Sequence, residues 1–357
     1  MTKIFLIRHA EAEGNIYRRA NGHYNGLITF RGYKQIELLR KRFEGEQIDA
    51  IYSSDLFRAC TTATALSEPR NLTVNKTQML REVDLGEWED KAWGDIEYTN
   101  RDMGLKFNSD PANWSVPGSE SYYNVITRMY DFVTQTAEQH NGETIAMFSH
   151  GFSIRSLMSR IEGIPSDETD KMPYGDNTAV ALLIYENGDL RIDHKNDNSH
   201  LNPEQSTLAG QHWWKPERKR ISENLRFMPL NEVCSDELLR IFKAKAGARA
   251  HVDKQYAAFL VDEPVGIVGI DTHRDQKINT GWLSYIHVVP EHRKKTYATQ
   301  LLGLAISDFR KLRREKIRIE IPSGSLGILF MEKCGFHTLD VTDTVCLMEK
   351  NIVNWDL

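Results

Sequence analysis

The stretch KIFLIRHAEAEGN, residues 3–15, begins as an apolar run and stops abruptly at Arg8 and His9. Neither of those side chains fills a core well, and the carboxylates of Glu11 and Glu13 follow at once. A buried strand that ends on polar groups is how open α/β sheets present their chemistry, because ligands bind beyond the carboxyl ends of the strands. The question is whether other strands supply partners for the pair.

Two do. TIAMFSH (144–150) also ends on a histidine, His150, and IDAIYSS (48–54) leads into DLFRACTTATAL (55–66), which carries Arg58. Ser54 or Asp55 is the expected cap of that helix. TFRGYKQIELLRKRF (29–43) reads as an amphipathic helix with Ile36, Leu39 and Phe43 on one face. SYYNVITRMYDFVTQTAEQH (121–140) and FSIRSLMSRI (152–161) are further helices. TAVALLIYENGDLRI (178–192) predicts a hairpin turning at Asn187 and Gly188. This alternation predicts a mostly parallel sheet covered by helices, the α/β class. If the strands are neighbours, two histidines and two arginines meet at one edge. Two arginines suit a phosphate dianion, which they clamp bidentately, better than a metal cation. One histidine is then left in line to attack phosphorus.

With 357 residues the chain is expected to form about two domains. Its 40% hydrophobic and 27% charged content are those of a globular protein, and a net charge of −5 argues against bulk binding to nucleic acid or membrane. Cys60, Cys234, Cys334 and Cys346 show no metal-ligand spacing and fit reduced thiols, so a cytoplasmic location is expected. The apolar run at the start is too short for a signal peptide, and none elsewhere is long enough to span a membrane. Residues 1–195 hold the alternating pattern, 196–224 read as a polar linker, and 225–357 form a second unit. That unit shows strands AAFLVD, VGIVGID, WLSYIHVV, IRIEI and TVCLMEK, with helices ATQLLGLAISDFRKLRR and ILFMEKCGF. RKLRREK and WWKPERKR read as a solvated helix face and linker rather than a nucleic-acid site.

The ordered set LIRHAEAEGN, RANGHYNGLITFRG, YSSDLFRACTTA, LREVDLGEWE, PGSES, SHGFSIR and NTAVALLIY resembles the histidine phosphatase superfamily along nearly all of residues 1–195. The resemblance implies a three-layer α/β/α, phosphoglycerate-mutase-like domain that hydrolyses a small phosphorylated metabolite without a metal. His9 would be the nucleophile, forming a phosphohistidine. Arg8, Arg58 and His150 would hold the phosphoryl oxygens, and Glu82 would protonate the leaving oxygen and later activate water. Asn15, Asn21, Gly22 and Gly151 would line the phosphate pocket. Trp88, Trp93 and Trp114 read as packing in an excursion over the site. The compact unit favours a hydrolase over mutase-type phosphotransfer, because a mutase must shield its phosphoenzyme from water.

Residues 225–357 resemble, more loosely, the GCN5-related N-acetyltransferase (GNAT) family, through YIHVVPEHRKKTYATQLLGLAI and LFMEKCGF. That implies an α+β domain binding acetyl-CoA and acetylating an amine acceptor. Val288, Val289, Arg293, Lys294, Lys295, Thr296, Tyr297 and Ala298 would form the cofactor site. Thr296 stands where the family usually has glycine, and Met331 where a tyrosine acid often stands. His287 is a candidate base. The different-class alternative treats both units as binding modules of a metabolite sensor without turnover.

Overall fold

The computed structural model describes residues 1–211, 223–233 and 251–353. The chain divides into two compact units. The first comprises Met1–Ala12, Ala20–Glu89 and Asn100–Arg218; the second comprises Glu13–Arg19, Asp90–Thr99 and Lys219–Leu357. Up to residue 197 the regular elements are β1 (Thr2–Arg8), α1 (Glu13–Tyr17), α2 (Phe30–Arg42), β2 (Ala50–Ser54), α3 (Phe57–Arg70), β3 (Val74–Thr77), α4 (Trp93–Thr99), α5 (Arg101–Ser109), α6 (Tyr122–Gln139), β4 (Thr144–Ser149), α7 (Gly151–Glu162), β5 (Val180–Glu186) and β6 (Asp189–Asp197). Of these, α1 and α4 belong to the second unit.

In the first unit the described strands form one sheet in the order β3-β2-β4-β1-β5-β6. β1 pairs parallel with β4, and β2 parallel with both β4 and β3. β5 runs antiparallel to β1, and β6 antiparallel to β5. β1 is thus central and buried on both faces, which is why it reads as an unbroken apolar run rather than an alternating one. Ile7 packs in a core with Ile36, Leu39 and Phe43 of the α2 side and Ala59, Ala63 and Leu66 of α3. Leu6, facing the other way, lines a small cavity together with Ile154 and Met158 of α7. Three layers result. The hairpin turns where expected, with Asn187 and Gly188 at φ 54° and 91°, the left-handed pair that a tight right-twisted hairpin needs.

Local differences from the sequence reading have simple causes. The α3 N-cap is Leu56, not Ser54 or Asp55; Ser54 Oγ instead accepts the Leu56 N–H, and Asp55 pairs with Arg81 at 2.5 Å. β3 is four residues long and offers little apolar pattern to read. Residues 198–208, whose composition suggests a linker, are tied into the first unit. Asp176 accepts from Ser206 Oγ (2.5 Å), Thr207 N (3.1 Å) and Leu208 N (3.2 Å), and Thr207 is buried. WWKPERKR lies outside the described residues.

In the second unit the described strands are β7 (Arg226–Pro229), β8 (Lys254–Leu260), β9 (Glu263–Asp271), β10 (Thr280–Val288), β11 (Lys316–Pro322), β12 (His337–Val341) and β13 (Val345–Asn351), with α8 (Tyr297–Lys311) and α9 (Leu326–Lys333). The sheet order is β12-β13-β11-β10-β9-β8-β7. Its core gathers Val268, Ile270, Leu283, Leu301, Ala305, Phe309, Ile319 and Met348. α1 and α4 complete this body. Glu13 pairs with Arg310 (2.6 Å) and Lys350 (3.3 Å), Tyr17 lies against Gly303, and Asp90 takes Arg19 (2.7 Å) and Ser307 Oγ (2.5 Å).

Candidate functional sites

At the carboxyl edge of the first sheet, His9 follows β1 and His150 follows the neighbouring β4, with ring centroids 5.1 Å apart. Adjacent parallel strands make that proximity unavoidable. His9 Nδ1 donates to the Ala10 carbonyl at 2.7 Å, which leaves Nε2 with its lone pair. Burial, with Arg58 and Arg8 alongside, holds His9 well below the usual imidazole range, so the ring is neutral. His150 is held low by burial and by Arg58 in the same way. Arg58 Nε donates to His150 Nδ1 at 3.1 Å, which puts the His150 proton on Nε2. That Nε2–H and Arg8 Nε are buried donors without a hydrogen-bond partner among the described residues. Unpaired buried donors beside two guanidinium groups describe an anion site, since each would otherwise carry an uncompensated desolvation cost.

The surroundings hold these groups still. Arg8 Nη1 donates to the Gly175 carbonyl (2.6 Å), and a Cβ on Gly151 would come within 3.2 Å of Arg8 Nε. Arg58, with its pKa brought down to about 10 by burial, donates to the carbonyls of Gly22 (2.7 Å), Tyr24 (3.0 Å) and Asn21 (3.2 Å). A Cβ on Gly22 would sit 2.3 Å from both Glu89 Oε1 and the Val83 carbonyl, so no larger residue fits. The Asn21 side-chain oxygen is buried without a partner among the described residues. Asn15 lies on α1, which falls in the second unit.

Glu82 sits at the N-terminus of α7. Its Oε1 accepts from Ser153 N (2.9 Å), Ser153 Oγ (3.1 Å) and Val83 N (3.1 Å), while Oε2 accepts from Phe152 N at 3.1 Å. Arg128, paired bidentately with Glu120, donates to the Glu82 carbonyl at 3.1 Å. Trp88 and Trp114 are buried and lie 5.7 Å apart, Trp114 meets Phe107 at 5.0 Å, and Phe107 stacks on Phe152 at 4.9 Å. These rings pack the excursion to α7. Trp93 lies on α4, in the second unit.

Sequence reasoning passed over Glu89, whose carboxylate accepts His23 N (2.7 Å), Tyr24 N (2.8 Å) and Leu85 N (3.0 Å) and so shapes the loop around Arg58. GEWED looks like a solvated turn because its hydrogen-bond partners are distant in sequence. It also passed over Gln35, fully buried on α2. The available signal was a polar residue in phase with Gly32, Ile36 and Leu39, on the core-facing stripe.

In the second unit, β10 pairs parallel with β11 only from Thr280 to Trp282, although both strands continue. A register shift against β9 between Leu283 and Tyr285 bends β10 at Ser284. Beyond it the two parallel strands part. Arg293 Nε donates to the Val288 carbonyl at 3.0 Å, and Val289 N to the Val265 carbonyl at 2.9 Å. Lys294 and Thr296 adopt left-handed φ of 63° and 66°, and Thr296 is the N-cap of α8, with Tyr297 and Ala298 in its first turn. The backbone thus takes the shape that glycine would permit without having one there. Lys295 is exposed, His287 half-buried, and Met331 buried in the core.

Among the described residues no helix is long and apolar enough to cross a membrane, and no group of His, Cys, Asp and Glu is placed to hold a metal ion. The description "Histidine phosphatase superfamily (branch 1)" matches residues 4–198, and "Acetyltransferase (GNAT) family" matches residues 218–336. Phosphoserine phosphatase 1 of Hydrogenobacter thermophilus is 30% identical over 187 residues, 52% of this chain and 88% of that protein. A probable phosphoglycerate mutase GpmB of Proteus mirabilis is 25% identical over 187 residues, 52% of this chain and 86% of its own length. The structure of YhfR from Bacillus stearothermophilus superposes with a TM-score of 0.55 at 28% identity, covering 57% of this chain and all of that one (100%). With a family match over more than half its length, and the paired histidines and arginines at one sheet edge, the chain belongs to the histidine phosphatase superfamily and carries a GNAT-family domain after it.

Proposed function

We propose that the first unit hydrolyses a small phosphomonoester through a phosphohistidine on His9. The observation that carries the reading is the His9 ring, neutral and with its proton on Nδ1, beside the orphaned donors of Arg8 and His150. His9 Nε2 attacks phosphorus, and the bond to the leaving oxygen breaks with its electron pair on that oxygen, which takes a proton from Glu82. Arg8, Arg58 and the His150 Nε2–H stabilise charge on the three phosphoryl oxygens. Water, deprotonated by Glu82, then attacks the phosphohistidine and releases phosphate, returning His9 neutral. Gly151, Gly22 and Asn21 shape the pocket. No metal enters this scheme. A relative named for phosphoserine makes that compound the first substrate to try.

The test is a quenched reaction with labelled phosphomonoester in excess chelator. Acid-labile label on wild-type protein, absent from His9→Ala, is expected. Chelator-abolished turnover restored by a divalent cation would sink the scheme, and label passing to an acceptor alcohol rather than to water would favour phosphotransfer.

The second unit we read as an acetyl-CoA-dependent N-acetyltransferase. The parted β10 and β11 leave strand backbone open to an extended ligand, and the loop from Arg293 to Thr296 presents the exposed N-terminus of α8 to an anion. These features fit the cofactor, with Lys294 and Lys295 adding charge; when bound, acetyl-CoA supplies the activated acyl group. Met331 is a buried thioether with no proton to give, so α9 supplies no acid at that position, and His287 on β10 is the candidate to take the proton of the amine. Formation of free thiol from acetyl-CoA with an amine library tests this, and no turnover together with no binding would remove it.

A further inference from the structure

We propose that Gln35 is a positioning residue that keeps the His9 proton on Nδ1, acting through the peptide group between Ala10 and Glu11. This rests on the reading of His9 Nε2 as the nucleophile. A nucleophilic Nε2 requires the proton on the other nitrogen, and an isolated neutral imidazole has no structural reason to keep it there. Among the described residues the acceptor for His9 Nδ1 is the Ala10 carbonyl, at 2.7 Å. The N–H of that same peptide, Glu11 N, donates to Gln35 Oε1 at 2.7 Å. One hydrogen bond on the N–H side polarises the peptide and strengthens the carbonyl as an acceptor; the two together also fix its plane.

Gln35 is itself locked, so its amide cannot turn round. Its Nε2 donates to the Gln205 carbonyl (2.8 Å) and to Thr207 Oγ1 (3.1 Å), which leaves Oε1 facing Glu11. Thr207 Oγ1 in turn donates to Glu11 Oε2 at 2.9 Å, and Thr29 Oγ1 to Glu11 Oε1 at 2.7 Å. Ala10 N donates to Thr62 Oγ1 at 2.9 Å, so the preceding peptide is held as well. Gln35, Glu11 and Thr207 are all buried. A fully buried amide on a helix whose neighbouring core positions are Gly32, Ile36 and Leu39 needs a reason, since an apolar side chain would fill the same space without any desolvation cost. The reason is the peptide beneath the nucleophile. Gln205 and Thr207 give the segment after β6 a share in this role, beyond joining two units.

The test uses the full chain with Gln35→Met, which keeps the volume and removes the acceptor, and with Gln35→Asn, which keeps the amide and withdraws it by one methylene. Phe43→Leu, in the same core, serves as a control for destabilisation alone. The expected result for both Gln35 variants is a fall in kcat of about 10–100-fold with KM little changed, by analogy with the loss when the outer partner of a metal-ligating histidine is removed. Nitrogen chemical shifts of the His9 ring should move from the Nδ1–H toward the Nε2–H form. Should Gln35→Met fail to fold, Gln35→Asn carries both readouts. Wild-type kcat and an unchanged His9 tautomer in a folded variant would overturn the proposal, as would an equal loss of kcat in Phe43→Leu at matched melting temperature. The tautomer is read without turnover, so absence of any phosphoenzyme in the wild type would count against the hydrolysis reading alone.

Discussion

His9 and His150 are unusual histidines in that burial keeps both neutral well below the ordinary imidazole range, and His200, brought down to about 4 by burial and then Arg42, joins them. Because these folded values lie below the unfolded value of about 6.5, the unfolded chain binds more protons as pH falls. Stability is therefore greatest above pH ~6.5 and declines below it, each site contributing up to about 1.4 kcal/mol per pH unit. Urea titrations between pH 7.5 and 5 should show that slope, and His200→Gln should reduce it; a flat profile would contradict neutral buried rings. Glu82→Gln makes a second residue-level prediction. An alkoxide leaving group needs a proton as its bond to phosphorus breaks, whereas a nitrophenolate scarcely does. The variant should slow phosphoserine hydrolysis at least tenfold more than nitrophenyl phosphate hydrolysis. Equal slowing would mean that Glu82 only braces α7 through Phe152 and Ser153.

At the scale of elements, the loop into α8 adopts a left-handed backbone without the glycine that would make it easy. Thr296 is β-branched and sits at φ 66°, a backbone region that costs a non-glycine residue about 1–3 kcal/mol. Thr296→Gly relieves that strain, and the larger entropy of glycine in the unfolded chain offsets part of the gain. A net stabilisation of about 1 kcal/mol is expected from chemical denaturation, with acetyl-CoA affinity retained or raised. A destabilised variant would mean that the threonine makes a compensating contact. The helices of the first unit were legible from their stripes of Ile36, Leu39 and Phe43, and the hairpin from Asn187 and Gly188. β3 and β12 were not, because a four-residue strand and an exposed edge strand carry too few buried positions to set up a pattern.

For the whole molecule, the second unit is more than its C-terminal sequence. Glu13 and Asp90 place buried carboxylates against Arg310, Lys350 and Ser307, and Gly303 is a glycine because a Cβ there would lie 2.4 Å from Tyr17. A fragment spanning 225–357 leaves those partners behind, and removing one side of a buried ion pair costs about 3–5 kcal/mol. The fragment should melt well below the same unit in the full chain, so acetyl-CoA binding is best read from the full chain, where ligand at 100 times its Kd adds about 2.7 kcal/mol. Equal melting of fragment and full chain would show that residues 13–19 and 90–99 contribute nothing to that body.

Residue order alone determined the fold class and which side chains meet at the sheet edge. An apolar run ending on Arg8 and His9, and another ending on His150, can meet only if their strands are neighbours and parallel, and the apolar periods between them specify the covering helices. Tertiary structure alone decided the rest: that Glu89 builds the loop around Arg58, that Glu82 caps α7, that Gln35 reaches the peptide below His9, and that residues 13–19 and 90–99 fall in the second unit. Local sequence encodes burial through periodicity, but a hydrogen bond between residues 24 or 66 positions apart leaves no periodic trace. Such partners emerge only once the chain has closed on itself.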